Sequence, residues 1–574
     1  MLSKIKRGMI LFGKHGMQSV LKSVRNKKYH TPVSKEVIRS VHMVSDEELN
    51  VQKSKKFSKD IKFSIITPLY NTPENFLREL IESVQRQTYP NWELCFADGS
   101  DEEHSYVSEI CKEYVSSDSR IVYHILKENK GISENTNECI KLASGDYYGL
   151  LDHDDLLHPS ALYEVMCAIE EQDADFIYTD EVKFSGKLED VDNVLSFNLK
   201  PGFGKYDLRS HNYICHFTVF NKHLLDDEDV LYRKEYDGSQ DHDMVLRLTE
   251  KTNKIIHIPK VLYYWRVHSN SVSMDIGTKP YVVDAAIRAV KSQLERQEEK
   301  GAVASSLPFQ TIYRVSYEIE ENPLVSIAVI NTKTNQQIEK VVYTIVEHTA
   351  YRPLEIIYNS PTSIELLTEQ EISLLNVNCS GRCGEVWDYM IQRATGKYIL
   401  LYDWKNVPDT NTWMEELLMY AQKKDVCAVG PKIYYPDDSV CFAGISLDDE
   451  ADTKLKYLCD HDSKKDIGYE ALLCHVRNTT MMTDLCVMFS KEIWKNLGGF
   501  QSSVDEYEME DFCLRGLQKG MANVWTAYAE LHYQGKERLN KKSDQNVSEF
   551  AIKWERAIAQ ERYLHPNWEK LGLV

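Results

Sequence analysis

Four consecutive polar residues, Asp152-His153-Asp154-Asp155, follow the apolar run Tyr147-Tyr148-Gly149-Leu150-Leu151. A buried strand is therefore expected to deliver a carboxylate cluster to its own end. Strand side chains alternate, so Asp152 and Asp154 project the same way. Two neighbouring carboxylates repel unless a cation lies between them, and hard oxygen ligands suit Mg²⁺ or Mn²⁺. Such ions commonly bridge to a phosphate-bearing substrate. Taken alone, the same four residues also describe a solvated acidic loop.

The elements around the cluster decide between those readings. From Phe63 strand and helix patterns alternate: strands at Phe63–Thr67, Trp92–Ala97, Ile121–Leu126 and Tyr147–Leu151, helices at Phe76–Val84, Tyr106–Val115 and Ser133–Ala143. That order predicts βαβ units and a mostly parallel sheet. Ligands of such sheets bind at the carboxyl ends of the strands. Pro68, Asp98 and Asp152 all fall at expected strand ends and should share one crevice. The chain then repeats itself. Val325-Ser326-Ile327-Ala328-Val329 echoes the first strand, and Ala394-Thr395-Gly396-Lys397-Tyr398 echoes Ala143-Ser144-Gly145-Asp146-Tyr147. A helical stretch from Val282 to Gly301 and a turn-rich Ser305–Pro323 read as the junction. The pattern predicts a basic helical segment and linker over 1–61, α/β domains over 62–315 and 323–545, and a C-terminal helix and tail over 546–574.

The net charge of −20 argues against wrapping nucleic acid. Residues 1–30 nevertheless carry eight Lys or Arg and no Asp or Glu, leaving about −28 (−20 minus 8) for the rest. Interleaved Ile5, Met9, Ile10, Phe12, Val20 and Leu21 fit an amphipathic helix on an anionic membrane surface, or equally a basic helix packed on an acidic body. No run approaches the roughly 20 apolar residues that span a bilayer. No secretory leader pattern is present, and the thirteen cysteines show no zinc spacing, which reads as a cytoplasmic chain with reduced thiols.

With these residues in hand, the chain resembles the family 2 glycosyltransferases, inverting enzymes of the GT-A fold (Rossmann-like, mostly parallel sheet), here in tandem. Ser64-Ile65-Ile66-Thr67-Pro68-Leu69-Tyr70-Asn71 is similar to the family's opening strand and nucleotide loop, which carries Pro68 and Tyr70. Ala97-Asp98-Gly99-Ser100 resembles its base-contacting turn, and Asn129-Lys130-Gly131-Ile132-Ser133 with Asn137 its Asn-Gly segment. Thr136 stands where many members carry Arg. Asp152-His153-Asp154-Asp155 is then the DxD element. Gly238-Ser239-Gln240-Asp241-His242-Asp243 looks like the segment holding the catalytic base, and Tyr264-Trp265-Arg266-Val267-His268 like the late motif whose His completes a metal shell.

The resemblance implies nucleotide-sugar contacts from Pro68, Tyr70, Asp98, Asn129, Gly131, Asn137 and Asp152, and a Mn²⁺ or Mg²⁺ ion on Asp154, His268 and Asp152. Asp241 would take the acceptor's proton, with Asp243 as its competitor. Asp155, Asp243, Trp265 and Arg266 are further candidates, for acceptor contact or support. The donor would be a UDP- or dTDP-sugar and the acceptor a glycan or lipid-linked sugar of a bacterial surface polysaccharide, at the inner face of the plasma membrane. In the second repeat Ser360, Lys405 and Met509 stand where Asp98, Asp154 and Asp241 stand in the first, with Asp403 kept for Asp152 and His532 for the late His. Lys405 could pair with Asp403. That copy is expected to lack metal-dependent chemistry; the roles open to it are binding acceptor, pairing subunits or bracing the first domain. The competing readings are a bifunctional polymerase using both domains and a non-catalytic glycan-binding scaffold.

Overall fold

The computed structural model describes residues 33–188, 191–268, 280–306, 308–364, 371–500, 503–535 and 542–574. The basic stretch over 1–30 lies outside the described residues. Two compact units form. The first comprises residues up to Lys200, Asn212–Val290 and His565–Leu573, and the second Pro201–His211 and Lys291–Leu564. Among the described residues no helix is long and apolar enough to cross a membrane.

The first unit is built on a nine-stranded sheet: β1 (Phe63–Leu69), β2 (Trp92–Asp98), β3 (Ile121–Ile125), β4 (Tyr147–Leu150), β5 (Leu156–Leu157), β6 (Phe176–Phe184), β7 (Val194–Asn198), β8 (Thr218–Asn221) and β9 (Ile255–Arg266). The spatial order is β3-β2-β1-β4-β8-β6-β9-β5, with β7 on β6. Strands β3, β2, β1 and β4 are parallel, as their helical crossovers require. Strand β8 runs antiparallel between β4 and β6. Every residue of β1 and β2 is buried, because helices such as Glu74–Gln85 and Ile132–Ile140 cover the sheet. Pro68 does not stop β1. Pairing with β4 ends at Ile66, so Pro68 sits beyond that ladder, where no N–H is needed.

The second unit repeats the arrangement. Its main sheet places Ile372–Val377, Leu354–Asn359, Val325–Ile330, Tyr398–Asp403, Cys486–Ser490, Val426–Tyr434, Ala522–Tyr533 and Asn406–Pro408 side by side, in the same topological order. One local brace recurs in both units. Ser64 Oγ donates to Glu93 Oε1 (2.6 Å) and accepts from the Gly145 N–H (2.9 Å), while the Ser144 N–H reaches the same carboxylate. Ser326, Glu355, Gly396 and Thr395 make the same contacts. The glycine is obligatory at both places. A Cβ on Gly145 would lie 2.6 Å from the Lys62 carbonyl oxygen, and one on Gly396 2.5 Å from Ser326 Oγ.

Two expectations are corrected. The turn-rich Ser305–Pro323 is largely strand: Gly301–Ser306 and Phe309–Tyr317 pair as a hairpin, with Ile312, Tyr313, Val315 and Tyr317 buried. The C-terminal helix and tail expected over 546–574 begins two residues earlier, at Asp544, and its helix stops at Ala559. The chain then runs without a further helix into His565–Leu573, which packs in the first unit. There Trp568 is buried and its indole N–H donates to the Leu199 carbonyl (3.1 Å).

Candidate active site

Register sets the crevice. Leu69 pairs with Asp98 across β1 and β2, and Ile66 with Leu150 across β1 and β4, so three parallel strands end along one edge. Asp98 is buried there and accepts from Tyr123 Oη (2.6 Å) and the Ser100 N–H (2.9 Å). Gly99 lets this turn pack on the next loop, since a Cβ would lie 3.3 Å from Asn129 Cα. In that loop Asn129 Oδ1 accepts from the Gly131 N–H (3.0 Å) and from Asn135 (2.8 Å). Tyr70 is exposed at the mouth. Asn137 has a different environment: its amide donates to the Tyr232 carbonyl (2.7 Å) and accepts from the Tyr232 N–H (2.9 Å). That pairing holds Ile132–Ile140 against the segment leading to Asp241.

The acidic loop after β4 is fastened from beneath. Asp155 is buried and accepts from Tyr263 Oη (2.7 Å) and the Arg266 N–H (2.7 Å), both on β9. Burial, and then the charges of Asp154 and Asp152, push its pKa well above the usual carboxylate range. Arg266 donates to the Asp154 carbonyl (2.8 Å) and pairs with Glu79 (2.6 Å). His153 Nδ1 meets Thr72 Oγ1 at 2.8 Å. These ties turn Asp154 toward the end of β9, where its Oδ2 lies 2.8 Å from His268 Nε2. Both side chains keep about a fifth to a quarter of their surface exposed (22% and 24%), as a reachable ligand pair must.

Asp152 goes elsewhere. Its Oδ2 lies 3.4 Å from His216 Nε2, and His216 Nδ1 lies 3.2 Å from Glu181 Oε2. The ring stacks on Tyr263, centroids 4.7 Å apart, and its edge meets Trp265. Burial alone would lower the pKa of His216; Cys215, Asp152 and Glu181 more than offset it and hold the imidazole well above its ordinary value. Glu181 is itself buried. Burial opposes its charge, but Lys200 (3.4 Å) first and His216 next hold its pKa down to about 2. The Lys200 ammonium also donates to the carbonyls of Ile214 and His216, which fixes the loop. None of Glu181, Lys200 and His216 was anticipated from sequence. The readable sign was the pair Asp180-Glu181 inside the apolar strand β6, since buried charges need partners.

Asp241 is the second residue of the helix Gln240–Thr249 and does not cap it; Ser239 occupies the cap position. Its half-buried carboxylate accepts from Asn212 Nδ2 (2.9 Å) and the Cys215 thiol (3.5 Å). Through Cys215 and His216 it joins the Asp152 network. Asp243 is fully buried and paired with Arg247 (3.0 Å) and Arg233. Trp265 is half-buried, with the Lys183 ammonium 4.3 Å above its ring.

The second unit's copy differs at the same places. In the helix Glu508–Gln518 Asp511 binds Arg515 (2.8 Å) as Asp243 binds Arg247, so the register puts Met509 at the position of Asp241. Asp403 is buried, accepts from Asn331 (2.7 Å), and has its pKa raised by burial. The Lys405 ammonium does not pair with it. That group lies over the Trp404 and Tyr533 rings, and the Lys405 backbone N–H reaches Asp403 instead (2.9 Å). His532 is held between Asp409 (2.6 Å) and Asp438 (3.0 Å).

Residues 64–228 match glycosyl transferase family 2, which places that segment of the first unit in the family. It is 31% identical over 490 residues to the uncharacterized protein y4gI of Sinorhizobium fredii, covering 82% of this chain and 52% of that protein. It is 29% identical over 494 residues to the O-antigen biosynthesis protein RfbC of Myxococcus xanthus, covering 83% of this chain and 37% of the relative. The chain thus spans about half or less of these relatives. Among solved structures, S. aureus TarS in complex with UDP-GlcNAc aligns at a TM-score of 0.35 and 20% identity, over 41% of this chain and 66% of that one, a likeness too slight to argue from.

Proposed function

We propose that the first unit transfers a sugar from a UDP- or dTDP-sugar to a glycan or lipid-linked acceptor, with inversion, in the synthesis of a bacterial surface polysaccharide. The carrying observation is the Asp154–His268 pair, presented at the strand edge that also holds Asp98. Ligands about 2.1 Å from an octahedral ion stand roughly 3.0 Å apart along an edge, close to the 2.8 Å observed. Asp154 and His268 would therefore hold Mn²⁺ or Mg²⁺, which when bound neutralises charge on a departing diphosphate. The polysaccharide class is supported by the O-antigen relative.

In this reading Asp98 accepts a hydrogen bond from the nucleobase and Asp152 one from the ribose. Asp241 accepts the proton of the acceptor hydroxyl as its oxygen bonds to the anomeric carbon. The bond from that carbon to the diphosphate breaks, and the electron pair leaves with the diphosphate. Asn212 and Cys215 orient the carboxylate for this step. The second unit would assist without metal-dependent transfer, since Lys405 and Met509 replace the ligand and the base. That loss disfavours a two-site polymerase. The test is incubation of the full chain with a panel of nucleotide sugars and Mn²⁺ or Mg²⁺, read by mass spectrometry and by NMR of the anomeric proton. Inverted product supports the proposal; retained configuration, or no turnover of any donor, contradicts it.

A further inference from the structure

Twice among the described residues two histidines converge on one aspartate, and the ring nitrogens tell the pairs apart. In the first unit Asp180 Oδ1 lies 2.9 Å from His257 Nε2, and Oδ2 lies 2.7 Å from His565 Nε2. His565 Nδ1 is 3.1 Å from the backbone N–H of Asn567. An N–H can only donate, so Nδ1 accepts and the ring proton sits on Nε2, aimed at the carboxylate. The Lys200 N–H adds a third donor at 2.9 Å. This cluster is complete as hydrogen bonds.

The second unit holds the opposite tautomer. His475 Nδ1 lies 2.9 Å from the Ala471 carbonyl oxygen. A carbonyl can only accept, so Nδ1 carries the proton and Nε2 of the neutral ring presents a lone pair. That lone pair faces Asp207 Oδ1 at 3.1 Å, and the same oxygen lies 3.2 Å from His211 Nε2. Asp207 and His475 are almost wholly buried, at 4% and 1% side-chain exposure. Two acceptors meet in such a place only around a cation, which is either a proton or a metal ion.

Geometry favours the metal. Ligands 2.0–2.1 Å from a tetrahedral zinc ion stand about 3.3 Å apart, near the 3.1 and 3.2 Å seen here. A ring that ligates through one nitrogen commonly donates from the other to a backbone carbonyl, as His475 does to Ala471. The three ligand atoms all lie within 4.8 Å of one another. Arg477 directs its guanidinium to the carbonyls of Leu472 and Ala443, not to Asp207. We propose that Asp207, His211 and His475 bind one divalent transition-metal ion, zinc foremost, independently of the transfer site. His211 is the most open ligand, 23% exposed, so a solvent molecule can complete the shell. The ion would tie the helix Lys205–Ser210 to the segment ending at His475.

The test uses the full chain without a polyhistidine tag, carrying Asp154→Asn so that the transfer site cannot supply the metal. After loading with zinc and desalting, mass spectrometry of the metal should find close to one zinc per chain. His475→Ala and His211→Gln should each lower that at least about tenfold, while His565→Ala leaves it unchanged. Cobalt loading should give visible d–d bands that the same two variants abolish. His211→Gln, at the more exposed ligand, serves if His475→Ala fails to fold by circular dichroism. Zinc below a tenth of an equivalent, or zinc retained in folded His211→Gln, overturns the proposal and assigns the cation as a proton.

Discussion

Asp154 and Asp241 carry separable burdens, and their substitutions should separate too. Asp154→Asn keeps the loop's shape, because the ties run through the Asp154 carbonyl and Asp155. It should abolish metal-stimulated transfer while circular dichroism and the melting temperature stay near wild type; full activity would remove Asp154 from the metal. Asp241→Asn should bind donor normally by calorimetry yet lose turnover by at least about 100-fold, the usual scale for a general base. Persisting turnover would place the base elsewhere. His216→Phe tests the connection between them. The ring can still stack on Tyr263, but Asp152 and Glu181 lose its nitrogens. A rise in donor KM is expected, since Asp152 is assigned to the donor. An unchanged KM would make His216 a packing residue only. The acidic loop was legible in the sequence because strand and carboxylates are contiguous. His216 was not, because its partners stand 35 positions away at Glu181 and 64 away at Asp152 (216 − 152).

Among elements, the segment His565–Leu573 shows where local patterning fails. Its residues have neither helical nor strand periodicity, so the sequence described only a tail. In the structure it closes the first unit, with His565 on Asp180 from 385 positions away and Trp568 buried on Leu199. Lys200 links this anchor to the site, since its N–H binds Asp180 while its ammonium holds the His216 loop. Trp568→Ala removes a buried indole and its hydrogen bond, and should cost roughly 3–5 kcal/mol. Urea unfolding measures it; a loss under about 1 kcal/mol would mean the tail contributes little. The hairpin Gly301–Ser306/Phe309–Tyr317 was missed for another reason. Its strands carry no clean alternation, because Ile312 and Tyr313, neighbours on opposite faces, are both buried while Gly301–Ser306 is small and mostly unburied.

Across the whole molecule the duplication was the most legible feature, because Val325–Val329 and Ala394–Tyr398 echo Phe63–Thr67 and Ala143–Tyr147 as short contiguous motifs. What the repeat could not reveal is the buried charge that each unit adds for itself. Glu299 in the second unit is an example. Burial opposes its charge, but Arg209 above all, with Lys205 and Lys423, holds its pKa at about 2 against an ordinary 4.5. A lowered carboxylate pKa adds stability above about pH 4.5, lost as pH falls toward 2. The shift corresponds to on the order of 3 kcal/mol. The gap in urea midpoint between wild type and Glu299→Gln should therefore be full at pH 7 and narrow below pH 4.5. A gap constant down to pH 3 would contradict the assignment.

The placement of His565–Leu573 also imposes a schedule. The first unit's other segments end at Val290, so 274 residues (564 − 290) must be made before its last piece begins. At roughly 5–20 residues per second this takes roughly 14–55 s. Until then Asp180 lacks His565, and the Leu199 carbonyl lacks its indole donor. The ribosome must pass through the second unit before the first can be complete, so the contacts of Asp180 and Leu199 with the tail form only in chains whose synthesis has run past it.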